Sequence, residues 1–416
     1  MKNSLRKESL FKSAFVYTII NFVNKSFPFF LLPLFTRVFS LESYGAFSLY
    51  KAIINILIPI IGINMSEGII RKYYEKKGDE FGEYISQSLF INLVSTIIIG
   101  ICIIVVPAQI FQELIGVPKY LFTIAVFVSF FTCVNNIERG LLRCEDNNKT
   151  FAILVLGQSI LYFLLIWCLY GFRILTVFSA TIVESATYFV YFIVSLYFLN
   201  KKYNLKFLIN LGQIKELLNY VVPLAINSIL AYLFALSDRF IIGDKLGNDQ
   251  VGIYNATFQV VSILQILAVS FNAAWHPWVL KNLSKGISKR KFNKIRVLIF
   301  LMFGVFSIIF CSILYQYLPF ILGGKFVPGK QLIIWMSISV VFQFGYWLAA
   351  PVIQFYKRNW LLTISSFPAF LFSICMNFLY LHEFGLIFAA QVSAISWGII
   401  SLITLIGSQK MFLKYA

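Results

Sequence analysis

Apolar runs of roughly 20 residues recur from one end of this chain to the other, and no other feature limits its possible folds so severely. A run of that length, wound as a helix at 1.5 Å per residue, crosses about 30 Å of hydrocarbon. Inside lipid the backbone must satisfy its own hydrogen bonds, which leaves helices or closed barrels. These runs are continuous and do not alternate as barrel strands do. Twelve spans are expected, near 14–36, 43–66, 84–106, 119–138, 151–171, 175–199, 217–243, 250–275, 293–317, 331–353, 360–381 and 385–408. Composition agrees: 59% of residues are hydrophobic and 12% charged, against about a quarter charged in soluble domains. No connection is long enough to hold a soluble domain. The first span follows a basic start (Lys2, Arg6, Lys7, Lys12), but it is too long for a signal peptide and lacks a small-residue cleavage site, so it reads as a retained helix.

The formal charge of +18 would suit a nucleic-acid partner, but its placement gives another reason for it. With the N-terminus inside, 26 Lys and Arg fall on inner segments, 7 on outer ends and loops, and 2 (Lys25 and Lys51) within spans. That asymmetry is the positive-inside pattern and places both termini in the cytoplasm. No nucleic-acid partner is expected. The six cysteines are scattered without short paired spacing, so neither a disulfide framework nor a metal site is expected. No GxxxxGK[ST] segment is present, so energy for transport would come from a gradient rather than from ATP bound by this chain. No cofactor is expected beyond a coupling ion, H+ or Na+.

The chain divides as six spans (1–200), a basic cytoplasmic linker (201–216) and six more spans (217–416). Each half begins with a similar pattern: Arg37, a polar turn, then Tyr44 and Gly45; Arg239, a longer polar turn, then Gly252 and Tyr254. An even number of spans per half gives parallel repeats about an axis along the membrane normal, and transporters so built bind substrate between the halves. The expected fold is thus all-α, twelve transmembrane helices in two six-helix bundles.

The segments "LPLFTRVFSLESYGAFSL" (32–49), "DRFIIGDKLGNDQVGIYNA" (238–256) and "NAAWHPW" (272–278) make the chain resemble, over essentially its whole length, the Wzx-type O-antigen and polysaccharide flippases. These belong to the multidrug/oligosaccharidyl-lipid/polysaccharide (MOP) superfamily. The resemblance implies two six-helix bundles around a central cavity lined by spans one, two, seven and eight. It also implies movement of prenyl-pyrophosphate-linked oligosaccharide from the cytoplasmic to the outer leaflet by alternating access. The expected setting is the bacterial inner membrane, with a monomeric transporter working beside a polysaccharide polymerase.

Lys25 lies about 17 Å into its span at 1.5 Å per residue, and its stem covers about 5 Å, so it falls short of the headgroups. A lysine at the bilayer centre costs about 2.5–3.5 kcal/mol on the insertion scale. Either a wet cavity or a buried partner must hold it. Thr18, Asn21, Lys25 and Pro28 share one helical face, as do Ser48, Lys51, Asn55, Pro59 and Gly62 on span two. Lys51 reads as nearer a membrane end, where snorkelling competes with a cavity role. A lysine binds phosphate as a point charge, and Asn21 and Asn55 would add donors. Span eight carries Asn255, Gln259 and Ser262 without a cation; they suit sugar hydroxyls or hydrogen bonds to neighbouring helices.

Glu184, within span six, is a candidate for the coupling ion or a counter-charge for Lys25 or Lys51. Arg37, Asp238 and Arg239 sit at outer span ends and suit a gate or helix-end ion pairs; as neighbours, Asp238 and Arg239 are expected to take different partners. Tyr44, Trp278 and Trp360 read as interfacial anchors. In-span prolines (Pro28, Pro59, Pro223, Pro351, Pro368) are expected to bend their helices. A drug/cation antiporter of the same superfamily is the alternative, against which the two in-span lysines count. A polymerase or ligase enzyme would need a large external loop, and the outer connections here are short.

Overall fold

The computed structural model describes residues 2–76, 78–206, 209–358 and 360–415. They form fourteen α-helices and a 3-10 segment, with no strand among the described residues. In chain order the helices are α1 (Lys2–Val38), α2 (Leu41–Gly62), α3 (Met65–Glu75), α4 (Gly78–Val105), α5 (Ala108–Ile115), α6 (Lys119–Cys144) and α7 (Asn148–Gly171). There follow α8 (Val177–Tyr203), α9 (Leu211–Leu246), α10 (Asn248–Ser284) and α11 (Lys289–Leu322), then the 3-10 segment Gly324–Gly329. The chain ends with α12 (Lys330–Phe355), α13 (Trp360–Phe384) and α14 (Leu386–Tyr415). Twelve stretches among the described residues are long and apolar enough to cross a membrane, and they coincide with the twelve expected spans.

Several helices outrun their apolar cores. The tenth reaches Ser284 and the eleventh begins at Lys289, because hydropathy marks the edge of hydrocarbon while a helix continues into the headgroups. Span two ends at Gly62, where Ile63 (φ 44°) and Asn64 (φ 52°) adopt the left-handed conformation that asparagine tolerates better than most residues. The short helix α3 starts there and carries a polar face with Arg71, Lys72 and Glu75. In-span prolines sit inside continuous helices: Pro28 and Pro33 in α1, Pro59 in α2, Pro223 in α9.

By contact the chain forms two compact units. One holds the chain up to Leu34 with Ala46–Leu236; the other holds Phe35–Gly45 with the chain from Ser237 onward. In the first, Ile69 of α3, Ile85 of α4, Leu141 of α6, Leu199 of α8 and Leu217 and Val221 of α9 make a continuous buried cluster. In the second, α12 packs against α10, α11 and α14, around Trp275, Phe292, Phe344, Leu348 and Val352. The rings of Phe303 and Phe344 stack at 4.1 Å there, and those of Trp275 and Trp278 at 4.9 Å. Outward from this core, α11 exposes Leu298, Leu301, Met302, Val305 and Ile308, a face suited to lipid.

The repeated Tyr–Gly pattern has a structural explanation within the second unit. A Cβ on Gly45 would run into the backbone carbonyl of Asn248, and one on Gly252 into that of Leu41. The two glycines therefore let the first turns of α2 and α10 cross with backbones nearly touching, which no larger residue permits. Tyr44 is 2% exposed, its hydroxyl donating to Gln259 Oε1 at 3.1 Å and its ring meeting Phe326 edge-on at 5.7 Å. It is a core residue of this crossing, not the interfacial anchor expected; an amphipathic ring near a span end serves either place.

Candidate functional site

Lys51 is the eleventh residue of the 22-residue α2, halfway along it rather than near a membrane end. Its ammonium makes an ion pair with Glu184 Oε1 of α8. Three rings surround it, with centroids at 5.1 Å (Phe47), 5.8 Å (Tyr50) and 5.6 Å (Tyr162), a cation–π setting worth more where water is scarce. The pair is asymmetric: the Lys51 side chain is 36% exposed and that of Glu184 6%. Glu184 Oε2 and the hydroxyls of Tyr50 and Tyr162 are buried without a hydrogen bond among the described residues. Asn55 turns back along its own helix, donating to the Lys51 carbonyl at 3.0 Å. The ammonium is thus held by a buried carboxylate and ringed by aromatics on a side chain that stays partly exposed.

Lys25 and Asn21 lie on an exposed face of α1. Lys25 makes no ion pair among the described residues, so Glu184 serves Lys51 and not Lys25. Nearby, Asn24, which the sequence reading passed over, accepts a hydrogen bond from Ser159 of α7.

In the second unit, Arg239 is 4% exposed. Its Nε donates to Asn255 Oδ1 at 3.0 Å and its Nη1 to Asp238 Oδ1 at 3.0 Å. Asp238 Oδ2 accepts from Tyr254 at 2.7 Å, and the guanidinium lies 4.7 Å from the Phe258 ring centroid. The expectation of separate partners for Asp238 and Arg239 therefore fails in part: they pair with each other as well as with α10. Spacing along a helix restricts where Cβ atoms point, but an arginine arm is long enough to fold back onto its neighbour. Gln259 accepts from Tyr44, and Ser262 donates to the Gln259 carbonyl at 2.7 Å. Asn255 and Gln259 are thus engaged in helix-to-helix bonding within this unit, while Ser262 bonds along its own helix. Arg37 donates to the Phe320 carbonyl at 3.0 Å, satisfying one of the last carbonyls of α11 with a cation at the negative end of the helix dipole.

Sequence reasoning missed a polar pocket of about 180 Å³ in the first unit, where Asn64, Asn92, Asn136, Ser228 and Tyr232 meet. Asn64 donates to Ser228 at 2.7 Å. Asn92 is fully buried, and neither atom of its amide is hydrogen-bonded among the described residues. The available signal was a lone amide in the apolar run "SLFINLVST".

The fold is that of the MOP-superfamily membrane transporters. It superposes on the lipid II flippase MurJ in its inward closed conformation with a TM-score of 0.75 and 16% identity, covering 96% of this chain and 89% of that one. It superposes on an inward-facing multidrug resistance MATE family transporter with a TM-score of 0.69 and 14% identity, covering 96% of each chain. Residues 10–283 match the polysaccharide biosynthesis protein family, and the chain belongs to it. The capsular polysaccharide biosynthesis protein CapF of Staphylococcus aureus is 24% identical over 395 residues, 93% of this chain and 95% of that protein. Protein 1 of the Lsg locus of Haemophilus influenzae is 24% identical over 368 residues, 86% and 88% of the two chains. The two solved structures are a flippase and a transporter, and no cluster of three or more His, Cys, Asp or Glu suited to a metal occurs among the described residues.

Proposed function

We propose that this chain is a flippase carrying prenyl-pyrophosphate-linked oligosaccharide from the cytoplasmic to the outer leaflet of the bacterial inner membrane by alternating access. The observation that carries this reading is Lys51, a partly exposed lysine at mid-helix paired with the buried Glu184. The pyrophosphate of the cargo supplies the anion that such a lysine is open to receive, with Lys25 as a second handle on α1 and Asn21 and Asn55 beside them. Membership of a polysaccharide biosynthesis family supports the cargo class. Attraction of Lys51 towards phosphate would weaken its hold on Glu184 and leave a buried carboxylate in want of a proton or Na+, which is how we read coupling. Arg37, Asp238 and Arg239 are outer-end structural or gate charges. Asn255, Gln259 and Ser262 reach sugar hydroxyls only if their present bonds exchange. The protein acts as a monomer beside a polysaccharide polymerase, with both termini cytoplasmic.

Cells lacking the protein are expected to accumulate the complete prenyl-pyrophosphate repeat unit on the cytoplasmic side, reversibly on restoring the gene. Lys51→Ala and Lys25→Ala should each reduce the restoration, and Lys25→Glu more so. Normal export of polysaccharide without accumulation would favour the cation antiporter reading; full activity of both Lys25 variants would remove that lysine from the site.

A further inference from the structure

Arg296 sits two turns into α11 and is 5% exposed. Its guanidinium donates to Ser408 Oγ at 2.8 Å and to Asn293 Oδ1 at 3.1 Å, and lies 5.7 Å from the Phe292 ring. Two of its five N–H groups are thereby used, and neither acceptor is charged. A buried charge without a counter-ion is strongly unfavourable, and no carboxylate pairs with Arg296 among the described residues. After Asp249 the chain has thirteen Lys and Arg but one acid, Glu383. Glu383 ends α13, next to the start of α14, whereas Ser408 and Lys410 lie at the far end of α14, about 36 Å away at 1.5 Å per residue.

Arg296 lines a pocket of about 430 Å³ between α11, α12 and α14. Its walls are Val297, Phe300, Leu348, Leu405 and Ile406, with Gln409 and Lys410 at the same end as Arg296. Val297, Ile406 and Lys410 are exposed, so the pocket is reached from the side of the bundle. Phe300 approaches closely because residue 345 is glycine; a Cβ there would lie 3.2 Å from its ring. Gln409 is already an acceptor for Asn293 at 3.1 Å. The pocket thus has an almost wholly apolar surface with two basic residues, Arg296 and Lys410, among its lining at the basic end of the bundle, and it lacks the array of hydroxyl and amide partners that a saccharide needs.

We propose that this pocket is a binding site for an anionic glycerophospholipid of the surrounding leaflet, its phosphate between Arg296 and Lys410 and one acyl chain along Phe300, Leu348 and Leu405. Charge complementarity selects the headgroup: the phosphate supplies the counter-charge that no carboxylate gives Arg296 among the described residues. The inference does not depend on what the protein carries.

The test is native mass spectrometry and thermal unfolding of the full chain in detergent, with phosphatidylglycerol, phosphatidylcholine or inorganic phosphate added. Phosphatidylglycerol should stay bound and raise the melting temperature, while phosphatidylcholine and phosphate should not. Lys410→Gln, an exposed change that leaves the core intact, should weaken retention severalfold; Arg296→Gln with Lys410→Gln should abolish it, and Arg296→Lys should keep part of it. Equal retention of both lipids, an unweakened Lys410→Gln variant, or equal stabilisation by inorganic phosphate would overturn the proposal. So would displacement of phosphatidylglycerol by an equimolar prenyl phosphate, which would assign the pocket to cargo.

Discussion

At the scale of single residues, Lys51 and Glu184 let structural and transport roles be separated. Removing one partner leaves the other charge buried, which costs about 3–5 kcal/mol, whereas replacing both with apolar groups of similar size is often neutral. Lys51→Ala should therefore lower the melting temperature of the purified protein markedly, and Lys51→Met with Glu184→Leu should recover it. If the ammonium is the cargo's handle, the double variant stays inactive in flipping despite its restored stability; recovery of transport would make the pair purely structural. Both members were legible in the sequence, because a charge in an apolar run is expensive enough to demand a reason. Which lysine Glu184 answers, Lys25 or Lys51, was not, since it depends on how α2 and α8 pack, and periodicity within one helix carries no record of its neighbours. The same limit hid the aromatic surround: Phe47, Tyr50 and Tyr162 look like ordinary apolar positions until the helices are assembled.

At the scale of elements, the contact of α2 with α10 rests on two glycines. Gly45→Val and Gly252→Val should each destabilise by about 1–3 kcal/mol through overpacking, because the obstructing atoms are backbone carbonyls that cannot swing aside. Gly100, in the interior of α4 with open space where a Cβ would go, is the control: alanine there should be neutral or slightly stabilising on helix propensity. Thermal unfolding of the three variants side by side decides the point. The short helix α3 is tied down differently. Lys72, 5% exposed, pairs with Glu216 of α9 and with Glu75 at 2.7 Å, beside Arg71 and Tyr84. Burial would lower the Lys72 pKa, but the two carboxylates outweigh it and hold it above its usual value. Lys72 and then Arg71 hold the Glu75 carboxyl below its own. The raised group stabilises below its unfolded pKa of about 10.4 and loses that as pH rises through its folded value; the lowered one stabilises above about 4.3 and loses that as pH falls. Amide protection in residues 65–75, corrected for intrinsic exchange, should thus decline on acidification, and Glu75→Gln should blunt the decline. A flat profile in the unmodified protein would deny the tie any part in docking α3.

At the scale of the whole molecule, span number and helical class followed from apolar run length alone, since lipid leaves the backbone so few choices. The side of the membrane rests on charge counting: a reporter active only outside should work after residue 323 and fail at the C-terminus or after residue 285, and the reverse would invert the topology. The division into compact units was not legible, because the contacts change hands within α1, α2 and α9, where no turn residue marks the place. That feature bears on biosynthesis. The stretch Phe35–Gly45 leaves the ribosome early, yet the groups it packs against, Asn248, Gln259, Phe320 and Phe326, are made some 200 residues or more later. The first unit likewise stays unfinished until Leu236 has been added. A nascent chain cannot complete one half and then begin the other; the tip of the first hairpin must wait for α10, α11 and the 3-10 segment, and an insertion factor shielding that tip would find its work there.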